Sequence, residues 1–183
     1  MKTEIRVAGF GGQGVITFGY VLAQAASIYD EKYSLMTQSY GPEARGGACH
    51  SDVIISDVSI DYPKLSNLNY FVAMSVDAYN QFYKSMKRGA VVILEQDLVH
   101  IPEDKWIEGV IYYKIPSIRT AEELGNQLVA NMVMLGAVQV ITGAVSEISL
   151  VEAIKQRFPR YIELNLKALR RGIQLGKEVL SEG

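Results

Sequence analysis

What most constrains this chain is the run Glu4-Ile-Arg-Val-Ala-Gly-Phe-Gly-Gly-Gln-Gly14, where a short apolar stretch with strand character passes directly into glycines and a helix-like segment, 15–29, follows at once. Gly9, Gly11 and Gly14 have the spacing at which missing side chains permit a tight turn, close approach of a ligand to the backbone and close packing of helix on strand. A helix that opens from such a turn aims its free N–H groups and positive dipole end into the loop. That arrangement suits an anion, and it commits the chain to laying a helix across a sheet.

Two details separate this unit from common nucleotide sites. A nicotinamide-binding fold ends its second strand with an Asp or Glu for the ribose hydroxyls. Here Tyr33-Ser-Leu-Met-Thr37 runs into Gln38-Ser39; Asp30 and Glu31 come before the strand, and Glu43 comes after it. A phosphate-binding P-loop is also excluded, because Val15-Ile16 stands where Lys and Ser or Thr are required.

A second loop, Ser39-Tyr40-Gly41-Pro42-Glu43-Ala44-Arg45-Gly46-Gly47, has Pro42 to set a turn and glycines on both sides of Glu43-Ala44-Arg45. The planar fork of Arg45 can grip a carboxylate or phosphate at two points, or pair locally with Glu43. Both loops are expected at one carboxyl edge of the sheet, on the premise that they follow neighbouring strands.

Strand signals fall at 5–8, 34–37, 51–55, 70–75, 90–94 and 110–113, with helix-like segments at 15–29, 77–86 and 121–141. The alternation predicts an α/β fold: a mixed, largely parallel twisted sheet with helices on both faces, Rossmann-like, and a helical C-terminal segment. Two apolar stretches flanking Ser56-Asp57 suggest a hairpin. Ser149-Leu-Val-Glu152 reads as a capping box before a helix that Pro159 breaks. Ile162, Leu166, Leu169 and Ile173 then form a stripe that must pack back on the domain or dock on a partner. With 183 residues, 49% apolar and 21% charged, and no repeat or long linker, the chain is expected to form one domain, 1–183.

A net charge of −2 and the absence of a basic tract argue against nucleic acid as a partner. The most apolar stretch, 128–145, contains Asn131, Gln139 and two glycines, and reads as a buried helix instead of a membrane span. A strand that begins almost at Met1 leaves no room for a signal peptide, so the expected location is cytoplasmic. The single cysteine, Cys49, cannot form an intrachain disulfide or hold a cluster alone. His50 adjoins it, but neighbours on a strand face opposite sides and make a poor nucleophilic pair. No metal-ligand set surrounds His100.

The Gly9-Phe-Gly-Gly-Gln-Gly14 opening, the Gln38-Ser-Tyr-Gly-Pro-Glu-Ala-Arg-Gly-Gly47 loop and Asn131-Met-Val-Met-Leu-Gly-Ala137 together resemble the gamma subunit of 2-oxoacid:ferredoxin (acceptor) oxidoreductases, over nearly the whole chain. The second loop looks closest to the 2-oxoglutarate members. The resemblance implies a multisubunit enzyme that converts a 2-oxoacid, coenzyme A and an oxidised carrier into acyl-CoA, carbon dioxide and reduced carrier. It implies alpha, beta and ferredoxin-like delta partners, with thiamine diphosphate, magnesium and iron–sulfur clusters on those subunits and none held by this chain alone. Ferredoxin or another acceptor would then be reached through the complex. On this reading Gly9, Gly11, Gly12, Gln13, Gly14 and Asn131 approach coenzyme A, and Ser39 to Gly47 face a partner or ligand. The residues taken alone also suit a stand-alone flavin or nucleotide binder, or a non-catalytic interaction module.

Overall fold

All six segments with strand character form strands: β1 (Lys2–Phe10), β2 (Tyr33–Ser39), β3 (Ala48–Ser56), β4 (Tyr70–Ala73), β5 (Val91–Glu95) and β6 (Ile111–Ile115). The computed structural model describes residues 1–41 and 48–182. The strands make one sheet in the order β2-β3-β1-β4-β5-β6. β1, β4, β5 and β6 are mutually parallel, while β3 runs antiparallel to both β1 and β2.

The mixed sheet is therefore as expected, but its antiparallel part arises differently. No hairpin forms at Ser56-Asp57, where β3 simply ends; β2 and β3 pair with each other across the second glycine-rich loop instead. β1 and β2 are not neighbours either, because β3 inserts between them. Both run opposite to β3, so their carboxyl ends still share one edge of the sheet.

The central strands are buried on both faces, as parallel strands must be when helices or loops cover each side. Phe71, Val72 and Ala73 on β4 and Val92, Ile93 and Leu94 on β5 are fully buried, alternating between two cores. The larger core lies under α1 (Val15–Gln24), α3 (Ser117–Glu123), α4 (Ala130–Thr142), α5 (Glu147–Arg157) and α6 (Ile162–Glu182). The smaller lies under α2 (Val76–Phe82), whose Ala78 and Tyr79 belong to it with Phe71 and Leu94, the Tyr79 ring stacking on Phe71 at 6.3 Å. One turn of π-helix, Ala25–Tyr29, continues α1, so the helix-like segment 15–29 is helical throughout.

Two helix boundaries differ from the sequence reading. The expected helix over 121–141 is two helices, since α3 closes at a positive-φ Gly125 and Asn126 starts a new turn by accepting the Leu128 N–H at 3.0 Å. The cap of α5 is Ser146, not Ser149: its hydroxyl accepts the Ser149 N–H at 3.1 Å. Ser149 instead points its own hydroxyl at Asp30, beyond the π-helical turn, which also accepts the Ser146 N–H at 2.7 Å. A tertiary contact thereby moves the helix start by one turn.

The stripe on α6 is covered by α4. Leu166, Leu169 and Ile173 are buried, and the two backbones come so close that a Cβ at Gly172 would run into the carbonyl of Val133, and one at Gly136 into the carbonyl of Leu169. No side chain fits at either place. Across the sheet, Arg6 and Asp52 sit opposite each other on β1 and β3 and pair through two 2.7 Å hydrogen bonds, with the Phe82 ring 4.5 Å from the guanidinium carbon.

Gly172→Ala is expected to destabilise the chain by about 2–4 kcal/mol, because backbone cannot yield as a side chain would; thermal unfolding measures this, and an unchanged melting temperature contradicts the packing described. Asp30 and Glu4 give a pH dependence. Burial pushes the Asp30 carboxyl up, but hydrogen bonds from Ser149 and Ser146 outweigh it and hold the group below its ordinary value. Burial likewise raises Glu4, and contacts from Lys2, the Asn67 N–H and Ser66 bring it below its ordinary value. A carboxylate whose folded value is depressed stabilises the fold above its unfolded value, and that contribution is lost as pH falls through the folded value. The urea midpoint should hold level down to about pH 5 and fall below about pH 4. Asp30→Asn should make that acid fall shallower; an equally steep fall would show that Asp30 does not contribute to it.

Candidate functional site

The first glycine-rich loop, Gly11 to Gly14, joins the end of β1 to α1 and is closed by its own glutamine. Gln13 Oε1 accepts the Phe10 N–H at 2.7 Å, its Nε2 donates to the Met74 carbonyl at 2.9 Å, and its backbone N–H reaches the Phe10 carbonyl at 3.2 Å. The side chain thus ties the carboxyl end of β1 to the residue after β4. Gly14 is the N-cap of α1 in the left-handed region, with φ of 73°, and Gly12 has φ of 93°, conformations that cost a side-chain-bearing residue. No side chain caps α1.

Asn131, in the first turn of α4, fixes the far side of this turn by donating from Nδ2 to the Gly14 carbonyl at 3.3 Å. A Cβ on Gly14 would collide with that amide, and one on Gly9 would lie 2.9 Å from Met74 Cβ. The predicted site residues therefore divide in two. Gly9, Gln13, Gly14 and Asn131 interlock with one another and with β4, whereas Gly11 and Gly12 are exposed, with nothing within 4 Å of an added Cβ. The open residues are where a ligand can approach backbone.

Beside Gly12 lies a cavity of about 280 Å³, walled by Met74, Leu98, Ile118, Leu128 and Ala130 and edged by Gln13, Asp97 and Gln127. It sits where the connections from β1 and β4 diverge to opposite sides of the sheet, the position at which open α/β sheets form their crevice. A fully buried Glu95 at the end of β5 does not line the cavity but bonds three residues that do, Asp97, Leu98 and Ile118. One carboxylate oxygen accepts the Asp97 and Leu98 N–H groups, each at 2.8 Å; the other accepts the Ile118 N–H at 3.2 Å and the Ser117 hydroxyl at 3.3 Å. Glu95 thereby joins the β5 loop to the start of α3. Asp97 is in turn paired with Arg119. Nothing in the local sequence marked Asp97, Leu98, Gln127 or Leu128; only the rule that ligands gather beyond the carboxyl ends of strands could have pointed to them.

Of the second loop, Ser39 ends β2 opposite His50, and Tyr40 is 68% exposed, followed by Gly41. Pro42, Glu43, Arg45, Gly46 and Gly47 lie outside the described residues. Cys49 and His50 face opposite sides of β3. Cys49 belongs to the larger core, where burial pushes its thiol up, away from thiolate chemistry. His50 meets Phe82 edge-on at 4.8 Å on the other face, and burial chiefly lowers its pKa, with Asp52 opposing and Arg6 adding to the effect. Among the described residues no three His, Cys, Asp or Glu side chains gather as a metal-binding group, and no helix is long and apolar enough to cross a membrane.

Known proteins with this architecture agree with the resemblance. The chain is 48% identical to the 2-oxoglutarate synthase subunit KorC of Methanothermobacter thermautotrophicus, an alignment covering 100% of this chain and 97% of that one. It superposes with a TM-score of 0.84 and 38% identity on the gamma subunit of a keto/oxoacid ferredoxin oxidoreductase from Geobacter sulfurreducens, over 96% of this chain and 99% of that one. A TM-score of 0.83 with 27% identity relates 97% of it to 31% of the 2-oxoglutarate:ferredoxin oxidoreductase from Magnetococcus marinus, solved with 2-oxoglutarate, coenzyme A and succinyl-CoA bound. Residues 4–175 match the pyruvate ferredoxin/flavodoxin oxidoreductase family, and the chain belongs to it.

Proposed function

We propose that this chain is the gamma subunit of a 2-oxoglutarate:ferredoxin oxidoreductase and that its exposed Gly11–Gly12 turn receives the anionic part of coenzyme A. The overall conversion is R-CO-COO⁻ plus CoA-SH to R-CO-S-CoA, carbon dioxide, a proton and two electrons for the acceptor. Supporting the assignment are the full-length similarity to a 2-oxoglutarate synthase subunit and the likeness to an enzyme solved with coenzyme A. One cysteine cannot hold a cluster, and the sequence has no Gly-Asp-Gly…Asn motif for magnesium diphosphate, so the thiamine and electron-transfer steps belong to partner subunits.

The single observation carrying the ligand reading is the division within the turn. Gln13 and Asn131 are spent on holding it, while Gly11 and Gly12 stand bare at the start of a helix whose dipole favours an anion. The second loop, which begins where β2 ends, is assigned to contact with alpha and beta partners, exposed Tyr40 being its described member and Arg45 its candidate charged residue, with a ferredoxin-like delta subunit completing the complex.

Gly11 is the position to test. An added Cβ there meets nothing within 4 Å, and Gly11 is not among the positive-φ glycines, whereas Gly12 would strain any replacement. In the assembled enzyme Gly11→Val should raise the KM for coenzyme A about 10- to 100-fold, the equivalent of a lost charged hydrogen bond, with the melting temperature unchanged. Unchanged coenzyme A kinetics would dismiss the ligand role. Gln13→Ala should behave oppositely at first sight: it leaves the Phe10 N–H and Met74 carbonyl without their partner, and differential scanning fluorimetry should report a loss of about 1–3 kcal/mol in stability. No loss would mean that the glutamine does not hold the turn.

A further inference from the structure

A groove of about 490 Å³ lies at the far edge of the sheet, between β6 and the end of α6. Resting on the reading of this chain as a subunit, and not on the coenzyme A site, we infer that this groove receives an extended, basic segment of a partner subunit. That segment adds a seventh strand beside β6 and sets a Lys or Arg against Glu178 and Glu182.

The backbone asks for a strand. β6 ends the sheet, and β5 is its only strand neighbour among the described residues. The Ile111 N–H donates to the Ala90 carbonyl and the Ile115 carbonyl accepts the Gln96 N–H, each at 3.0 Å, so the odd-numbered residues of β6 turn their backbone groups toward β5. Alternation leaves the N–H and C=O groups of Tyr112 and Lys114 facing away from the sheet, a row that an added strand can pair in register. The groove straddles this row. On one face Trp106 stacks on Tyr112 at 4.6 Å; its indole N–H is given to the Ile101 carbonyl at 3.1 Å and the Tyr112 hydroxyl meets that of Tyr79 at 3.0 Å, so the aromatic wall is held from behind. Tyr113, Leu175 and Val179 form the other face, on the side of α6. Edge strands are commonly guarded by a charge, and Lys114 is the only one on β6. Its ammonium lies 5.5 Å from the Trp106 ring, so it guards the aromatic face and leaves the α6 side open.

Charge chooses the occupant. Glu178 and Glu182 stand one turn apart in the last turns of α6 and line the groove, and among the described residues neither is in an ion pair. Like charges at that spacing repel, and the negative end of the helix dipole adds to them, a cost that an arriving guanidinium or ammonium removes. Leu175 and Val179 beside them cover the aliphatic stem of such a side chain.

The chain is tested free and assembled with its partner subunits. The Tyr112 and Lys114 amides should exchange hydrogen rapidly in the free chain and slowly in the complex. Lys114→Pro and Lys114→Ala both remove the ammonium, but only proline removes an N–H from the outer row, which an edge strand tolerates. The dissociation constant for the partners should rise about tenfold more for proline than for alanine, at similar melting temperatures of the free chain. Glu178→Lys with Glu182→Lys places cations at the helix end that favours them, so the melting temperature should not fall while the constant rises roughly 10- to 100-fold. The added strand is ruled out if the two amides stay fast in the complex, if proline and alanine bind alike, or if the charge reversal leaves assembly unchanged. Should proline lower the melting temperature as well, the amides and the charge reversal decide. Protection that appears in the free chain and grows with its concentration gives the edge to a second copy and equally overturns the proposal. If the unaltered chain assembles and the variants match it, only the docking edge is wrong; if the unaltered chain forms no complex, the subunit reading fails with it.

Discussion

A single carboxamide holds the first glycine-rich turn against the carboxyl edge of the sheet. The end of β1 must turn at once into α1, and the turn leaves the Phe10 N–H at the end of β1 and the Met74 carbonyl just past β4 to find partners outside the sheet ladder. Gln13 satisfies both. An unpaired buried amide costs about 1–3 kcal/mol, so this side chain fixes the loop more firmly than glycine spacing alone does. With β1 and β4 clamped at their carboxyl ends, Gly11 and Gly12 have one place to go, outward, and the cavity beside them has a fixed wall.

The opposite wall is built by a different device. Glu95 is fully buried yet has four hydrogen-bond donors from the β5 loop and the start of α3, which satisfy both carboxyl oxygens where solvent does not reach. It sets Asp97 and Leu98 on one side and Ile118 on the other. α4 then brings Asn131 against Gly14, and α6 backs α4 through glycine contacts too close for any side chain. Rigid elements on three sides thus converge on a turn that offers only backbone.

Much of this was legible in the residues. The strand, glycine turn and helix over residues 4–29 fixed the first unit because local glycine spacing and apolar periodicity act over a few residues, and the fully apolar runs Phe71-Val-Ala73 and Val92-Ile-Leu94 marked strands buried on both faces. Three readings went astray for one reason. The hairpin at Ser56-Asp57, the continuous helix 121–141 and the cap at Ser149 each took a local signal at face value, and in each a distant or competing partner decided otherwise: β2 pairs with β3, Asn126 restarts the chain, and Asp30 captures Ser149.

Residue identity and short spacing were enough for the family and the glycine turn, because both are written within a few neighbouring positions. Tertiary structure alone decided that Gln13 and Asn131 serve the turn while Gly11 and Gly12 face outward, and that Leu98, Ile118 and Leu128, on separate loops and helices, enclose one slot. The physical reason is that hydrogen-bond partners and cavity walls are relations between segments far apart in the chain: Gln13 with Met74, Gly14 with Asn131, Glu95 with Ile118. Local propensity carries no information about which strand inserts between two others, so the placing of β3 between β1 and β2, with β4 on the far side of β1, was decided by pairing between distant segments.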